Sequence, residues 1–375
     1  MVSAPLIVLL YDRTFLAGSF REAWLRRRWV HGALFASWIL LGYLVVSTGG
    51  KRGSISTGLG AGVKWWDWIL TQFPAICHYL RLCFWPRPLV FEYGTYWVLR
   101  PISVLPQGLA VGLLAGGTLW ALWRRPAIGF LGFWFFAILA PTTLVAGTLQ
   151  MVVEHRMYLA LIPVVVLFVL VTYRWMGRGA LPFCLLIAAG LFGMTLNRNE
   201  TYHSAESIWS DTVAKRPENA LAHYMLGWYW YHSTPWRLND AIAQIEEALR
   251  LKPDYFEAHM TLGIIRSQMP GRLDEAVSQF EEAVRLRPNL PNPHFNLGVA
   301  WLRVPERLSD AIAQFEIALQ QKPDFPEAHY FLAVALSRLP GCREQEKAHL
   351  NEVLRLKPDD EPARRMLGGI SESQR

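Results

Sequence analysis

The residues best suited to chemistry form a short polar cluster, Glu154, Arg156 and Tyr158, just before an apolar run. An arginine can hold a phosphate through two parallel hydrogen bonds, and a neighbouring carboxylate can orient it or accept a proton. Ionisable residues at membrane depth are functional candidates by default. The alternative is an interface anchor, with an extended arginine, a belt tyrosine and a glutamate paired to the arginine. The residues alone leave both interpretations open.

A second basic pair, His78 and Arg81, is spaced i, i+3, so a helix would present both side chains on one face. The pair could add a phosphate contact or simply bind lipid headgroups. No nucleotide-binding loop, nucleophile elbow or zincin motif accompanies these residues. Catalytic residues therefore stay unassigned.

The C-terminal half of the chain repeats with an almost constant period. One proline closes each copy, and steps of 36, 35, 35 and 35 residues separate Pro217, Pro253, Pro288, Pro323 and Pro358. A period of this size predicts a helical solenoid. Small residues at fixed positions would let the two helices of a copy approach closely, while Phe or Leu fills the space between them.

The clearest copy, 256–290, resembles a tetratricopeptide repeat. It carries the small and large residues of that pattern as Leu262-Gly263, Ala276, Phe280, Ala283 and Pro288. The last copy departs from the pattern, with Ala333, Glu346 and Val353 at the Gly and two Ala positions. The resemblance implies an all-α superhelix over 201–370, built from a half repeat and four repeats, with a tail at 371–375.

Histidine recurs once per copy, at His223, His259, His294 and His329. A metal ladder is one interpretation. The positions, however, are equivalent in successive repeats, where packing residues normally sit, and one repeat is too long for a shared ion with ligand bonds of about 2 Å. We therefore expect no metal site. The cysteines show neither metal spacing nor a disulfide framework.

The residue after each histidine is apolar or aromatic, and so is the residue one helical turn later. In repeats of this type these positions line the concave groove, which would suit an extended peptide or a partner helix. The alternative is ordinary core between repeats. The groove candidates are Tyr224, Trp228, Tyr231, Met260, Phe295 and Tyr330. Tyr224, Trp228 and Tyr231 are the strongest of them.

The N-terminal half has the composition of a membrane domain. Residues 1–200 carry 17 Lys/Arg against 6 Asp/Glu, and residues 201–375 carry 20 against 24, so the net charges are +11 and −4. The basic balance thus describes membrane topology rather than nucleic-acid binding. Apolar runs predict about five full spans in a 1–200 domain, roughly at 29–48, 104–122, 128–148, 158–174 and 180–196.

Three basic segments fix the expected orientation. The segments 11–28, 124–126 and 174–178 are separated by even numbers of predicted spans, so all lie on one side, which the positive-inside rule makes cytoplasmic. The repeats then lie in an extracytoplasmic compartment, either periplasmic or lumenal. The apolar segment 64–93 is interrupted by prolines and predicts an interfacial helix, and Met1 to Leu10 predicts a partial helix.

Three stretches of the N-terminal half resemble one family: YDRTFLAGSFREAW, LTQFPAICHYLRLCFWPRPLVFEYG and VVEHRMYLALIP. They resemble the C-terminal portion of multi-pass membrane proteins with tetratricopeptide repeats, among them the transmembrane O-mannosyltransferases of GT-C type. The resemblance implies a polyprenyl-phosphate sugar donor at the extracytoplasmic face, near Arg156 and Tyr158. Members of that family begin with further spans and an acidic external loop that supplies a catalytic carboxylate.

Two hypotheses follow. The first is a membrane-anchored repeat protein derived from such a glycosyltransferase, whose repeats bind the acceptor protein. The second is a non-catalytic membrane scaffold that recruits partner proteins through the repeat groove. Membrane lipid and a protein or peptide are the expected partners in both cases.

Overall fold

The computed structural model describes residues 3–47, 65–85, 89–93, 101–144 and 157–372. Within these ranges the regular structure is entirely helical, as the sequence predicts, and contains no strand. The chain divides into two compact units, Met1–Ala222 and His223–Arg375. Residues 201–222, which the repeat pattern assigns to the repeat domain, lie in the first unit.

The described part of the first unit contains nine α-helices that end before residue 220, where the next helix crosses the boundary between the units. They are α1 (Ala4–Tyr11), α2 (Phe20–Arg26), α3 (Arg28–Ser47), α4 (Trp65–Phe84), α5 (Leu105–Arg124), α6 (Pro126–Leu144), α7 (Met157–Met176), α8 (Ala180–Glu200) and α9 (Ala205–Lys215). Each of the five predicted spans falls on one of the five helices α3, α5, α6, α7 and α8.

Two helical stretches among the described residues are long and apolar enough to cross a membrane, judged by length and composition. They are Pro101–Arg124 and Leu159–Glu200, of 24 and 42 residues. A third, Pro126–Ala140, is apolar but shorter. The longer stretch joins α7 and α8 through a short turn at Gly177–Gly179, where Gly177 adopts a left-handed φ of 55°.

Helix α4 supplies much of the first unit's core. It continues through Pro74 and buries Trp68 and Tyr79 against side chains from α5, α6 and α7. The segment that lies beyond α4 adds Val90, which is fully buried. The described residues of the 64–93 segment, which the sequence predicts to be interfacial, therefore contribute to the core of this unit.

The half repeat, α9, is bound to that same segment. The Lys215 ammonium donates to the Leu89 carbonyl at 2.9 Å, and the Asn219 amide donates to the Glu92 carbonyl at 2.9 Å. The Phe91 ring packs edge-on against Trp209, with 5.4 Å between ring centroids. These bonds tie the irregular backbone of Leu89 and Glu92 to α9 and to the turn that follows it, because buried peptide groups need partners.

The repeat unit consists of helix pairs, in which a first (A) helix is followed by a second (B) helix. The A helices are α10 (Ala220–Ser233), α12 (Phe256–Gln268), α14 (Pro291–Trp301), α16 (Pro326–Leu336) and α18 (Glu361–Glu372). The B helices are α11 (Leu238–Leu251), α13 (Leu273–Leu286), α15 (Leu308–Gln321) and α17 (Arg343–Leu356).

Glycine sets the distance between the helices of a pair. A Cβ on Gly263 would lie 2.6 Å from a ring carbon of Phe280, and a Cβ on Gly298 would lie 2.7 Å from Phe315. Both phenylalanine rings are almost fully buried. In the last pair the small residue is larger and the large residue is smaller: Ala333 replaces the glycine, and Leu350 replaces the phenylalanine. The departure in the last copy is thus a compensated change of volume.

Successive A helices are joined by arginines. The Arg303 guanidinium donates to the Ser267 carbonyl at 2.5 Å, and that of Arg338 donates to the Leu302 carbonyl at 2.8 Å. Both acceptors belong to the C-terminal end of the preceding A helix, where carbonyls lack helical partners. Each of these repeats therefore caps the one before it.

Candidate binding groove

The predicted groove residues lie where neighbouring A helices meet. The Tyr224 hydroxyl on α10 is 3.3 Å from Thr261 Oγ1 on α12. Because the Thr261 hydroxyl itself donates to the Glu257 carbonyl at 2.9 Å, the tyrosine is the donor. Tyr231 also joins these two A helices, because its hydroxyl donates to Gln268 Oε1 at the C-terminal end of α12, at 3.2 Å. These contacts place α10 and α12 side by side.

The α10 end of this surface is the most aromatic. Tyr224 is half-buried beside Tyr255, with ring centroids 5.0 Å apart. Burial raises the pKa of Tyr224 above its ordinary value. Trp228 is 40% exposed and packs on His232, with 4.2 Å between centroids. Partly exposed rings with a satisfied polar tip are well suited to bind apolar side chains.

The remaining groove candidates are more deeply involved in packing. Met260 and Phe295 lie against the main hydrophobic core of the repeats. The Phe295 ring is 5.0 Å from Phe325 and 5.7 Å from Phe331, so it belongs to an aromatic cluster between repeats. Phe295 thus takes part in packing between repeats and is half-buried.

Tyr330 lines a small cavity of about 100 Å³ at the other end of the surface. Pro326, Phe331 and Pro362 give this cavity apolar walls, and an ion pair between Lys357 and Glu327 borders it. Its size suits a single small side chain. Together with Trp228 it gives the groove an anchor at each end.

The groove candidates together form the A-helix surface: Tyr224, Trp228, Tyr231, Met260, Phe295 and Tyr330. Their side chains suit the binding of apolar groups better than catalysis. These side chains are phenols, an indole, a thioether and a phenyl ring, and the Tyr224 and Tyr231 hydroxyls already have hydrogen-bond partners. Aromatic side chains of this kind dominate the energetics of protein interfaces.

The phosphate candidates of the first unit are only partly described. Glu154 and Arg156 lie outside the described residues, and Tyr158 is the second residue of α7. His78 on α4 is half-buried, with its ring 4.6 Å from that of Tyr93. Burial, followed by the charges of Arg81 and Arg216, lowers the pKa of His78 to about 4. Arg81 itself is exposed.

The repeated histidines each contact the B helix of their own copy. Nδ1 of His223, His259 and His294 lies 2.7, 2.8 and 2.7 Å from a glutamine side-chain amide. In the last copy a second histidine, His349, replaces that glutamine. The sequence analysis did not single out His349, although it occupies the position of Gln244, Gln279 and Gln314. That comparison of B helices could have found it.

Family models match two stretches of the repeat unit. One described as "TPR repeat" matches residues 270–303, and one described as "Tetratricopeptide repeat" matches residues 306–361. A search of curated proteins found no match to the chain.

Solved structures also resemble the chain. YrrB, described as a TPR protein with an unusual peptide-binding site, has a TM-score of 0.39 and 21% identity over 46% of this chain and 87% of its own. MamA from Desulfovibrio magneticus RS-1 has a TM-score of 0.37 and 18% identity over 46% and 97%. The first TPR of Spaghetti (RPAP3), bound to an HSP90 peptide, has a TM-score of 0.30 and 21% identity over 32% and 92%. The matched repeats, 270–303 and 306–361, are tetratricopeptide repeats.

Proposed function

We propose that this protein is a scaffold that binds a segment of a partner protein on the A-helix surface of its tetratricopeptide repeats. The observation that carries the proposal is the row of partly exposed aromatic side chains from Trp228 to Tyr330, placed where A helices meet. The proposed ligand is an extended peptide segment that places an apolar or aromatic side chain against Trp228 and another in the cavity beside Tyr330. Such segments bind by inserting side chains into successive pockets of a groove.

Site-specific crosslinking tests this surface directly. A photoreactive amino acid at Ile264, the half-buried residue one helical turn after Met260 on α12, should crosslink the partner in native membranes or cells. The matched control is Ser278, which is exposed on helix α13. In addition, Trp228→Ala should weaken the crosslink, because loss of an aromatic anchor costs about 2 kcal/mol, or roughly 30-fold in Kd. Equal crosslinking from Ile264 and Ser278 would contradict the proposal.

The scaffold is further proposed to be held in a membrane by its N-terminal part, with the repeats on the extracytoplasmic side. Support comes from the two long apolar helical stretches and from the large side chains they leave exposed, such as Leu113, Trp123, Trp175 and Leu186. Exposed apolar surface of this extent marks a membrane or protein contact. Alkaline extraction should leave the full chain in the membrane pellet, and release into the supernatant would count against an integral anchor.

A glycosyltransferase ancestry is the second proposal, and its support is the sequence resemblance around Arg156 and Tyr158. A polyprenyl-phosphate sugar would then be the donor, with Glu154 orienting Arg156 and with His78 and Arg81 as further contacts to phosphate. Arg156→Ala should abolish sugar transfer, while Arg156→Lys should retain part of it, since lysine keeps the charge but loses the paired hydrogen bonds. Sugar transfer at the wild-type rate in Arg156→Ala would exclude the role.

A further inference from the structure

The last full repeat differs from the others on the side of the repeat unit that the B helices form. An open cleft of about 450 Å³ lies there between α15, α16 and α17, lined by Glu316, Leu319, Gln320, Pro323, His329, Leu332, His349 and Glu352. Two histidines and two glutamates meet in it. None of these residues belongs to the groove candidates.

The two imidazoles face each other through the same nitrogen. His329 Nδ1 and His349 Nδ1 are 2.9 Å apart, and the ring centroids are 5.2 Å apart. His329 Nε2 donates to the Pro323 carbonyl at 3.0 Å. That bond fixes the tautomer, so the Nδ1 lone pair of His329 is directed at His349. A backbone carbonyl that holds the far nitrogen is the usual outer support of a metal-binding histidine.

The spacing of the rings also fits a shared ion. Two imidazoles bound at about 2.0–2.1 Å in a tetrahedral arrangement would have nitrogens about 3.3 Å apart and ring centroids about 5 Å apart. The 2.9 Å contact is a hydrogen bond in which His349 Nδ1 donates to His329 Nδ1. An ion could replace that bond at the same centroid separation if His349 carries its proton on Nε2 and each ring rotates until the two nitrogens are about 3.3 Å apart.

The carboxylates add charge of the right sign. The pKa of Glu352 is lowered, first by its hydrogen bond from Arg355, so this side chain is ionised at neutral pH. Glu316 lies on the opposite wall, on α15. In the residues that the structure describes, no group of three or more His, Cys, Asp and Glu side chains is placed to hold a metal ion. The cleft thus offers two protein ligands and leaves the other positions to water.

We propose that His329 and His349 bind a divalent transition-metal ion, such as Zn²⁺, in this cleft. The other copies provide an internal contrast. In them a glutamine amide takes the place of the second imidazole, at Gln244, Gln279 and Gln314, and an amide is a poor ligand for these ions. The ion would tie α16 to α17 in the last repeat, where the glycine and phenylalanine of the two preceding pairs are absent.

The test is a zinc titration of the purified full chain, made without a histidine tag, in competition with a chromophoric chelator. His349→Gln restores the side chain of the other copies and should fold normally. We expect it to lose one bound Zn²⁺ per chain, or to bind it at least about tenfold more weakly. Gln279→His should add a second site, because His259 is supported there by the Pro253 carbonyl at 2.8 Å.

Two outcomes would overturn the proposal. The first is unchanged zinc stoichiometry and affinity in His349→Gln. The second is a Gln279→His chain that binds no additional ion, since the pair would then not suffice as a site. Replacing Zn²⁺ by Co²⁺ gives an independent readout. A ligand-field spectrum present in the wild type and lost in His349→Gln would confirm histidine ligation.

Discussion

At the residue scale, the repeats are defined by pairs of one small and one large side chain. Gly263 and Phe280 form such a pair, and so do Ala333 and Leu350. Total volume is conserved while its division between helices changes, which is how packed cores tolerate substitution. A repeat is therefore best identified by the combined size of the small residue on its A helix and the large residue on its B helix.

This pairing gives a stability prediction. Gly263→Ala should lower the free energy of unfolding by about 1–3 kcal/mol, because the new Cβ would overlap the Phe280 ring. The double variant Gly263→Ala with Phe280→Leu copies the last pair and should recover most of the loss. Chemical denaturation of the variants measures both effects. A double variant no more stable than the single one would show that the pairs are not interchangeable.

His78 gives a prediction about pH. Its pKa falls from 6.5 to about 4 on folding, chiefly through burial. Between these values the unfolded chain binds a proton that the folded chain does not. The neutral ring's contribution to stability is therefore complete above the unfolded pKa and is lost as the pH falls towards about 4.

The matched variant is His78→Gln, which cannot titrate. Thermal melting of both proteins between about pH 7 and about pH 5 should show a larger drop for the wild type than for His78→Gln. Parallel curves would mean that His78 is as accessible to protons in the folded chain as in the unfolded one.

At the scale of elements, much could be predicted from the sequence. The spacing of the closing prolines located the helix pairs, and apolar runs located α3 and α5 to α8. Periodicity succeeds here because each pair contacts its immediate neighbours along the chain. It fails for contacts specific to one copy. Aligning the B helices shows that His349 replaces a glutamine, but it does not show that the side chain contacts His329, 20 residues away on another helix.

The groove shows the same limit. Tyr224 and Phe295 occupy equivalent positions, yet the first forms a hydrogen bond to the next A helix and the second packs among phenylalanines. The difference arises from their neighbours, Thr261 and Phe331, which sit at equivalent positions of the following helix. The position of a residue within its repeat therefore predicts that it lies on the A-helix surface. Its exposure depends on the side chains of the following A helix.

The arginine caps give a prediction for a single element. Arg338→Met should lower stability by about 0.5–1.5 kcal/mol, because the Leu302 carbonyl at the end of α14 loses its donor. Arg343→Met, at an exposed position on α17, is the matched control, since it removes the same charge. Equal losses in the two variants, measured by denaturation, would assign the effect to charge rather than to capping.

At the scale of the whole molecule, the asymmetry of charge leads to a topology prediction. With the four native cysteines replaced, a cysteine at Ser278 on α13 should react with a membrane-impermeant maleimide from the extracytoplasmic side. One at Arg125, between α5 and α6, should react only after permeabilisation. Labelling of both from the same side of intact membranes would refute the proposed orientation.

The caps at Ser267 and Leu302 also give the repeat array a direction. Each A helix involved receives its donor from the copy that follows, so removing a later copy uncaps an earlier one, whereas removing an earlier copy leaves later caps intact. Fraying that enters from the C-terminal side should thus spread more readily than fraying from the other side. A partner that binds the C-terminal copies would therefore keep the caps of the earlier copies in place. Amide hydrogen exchange should then slow even in helices that the partner does not contact.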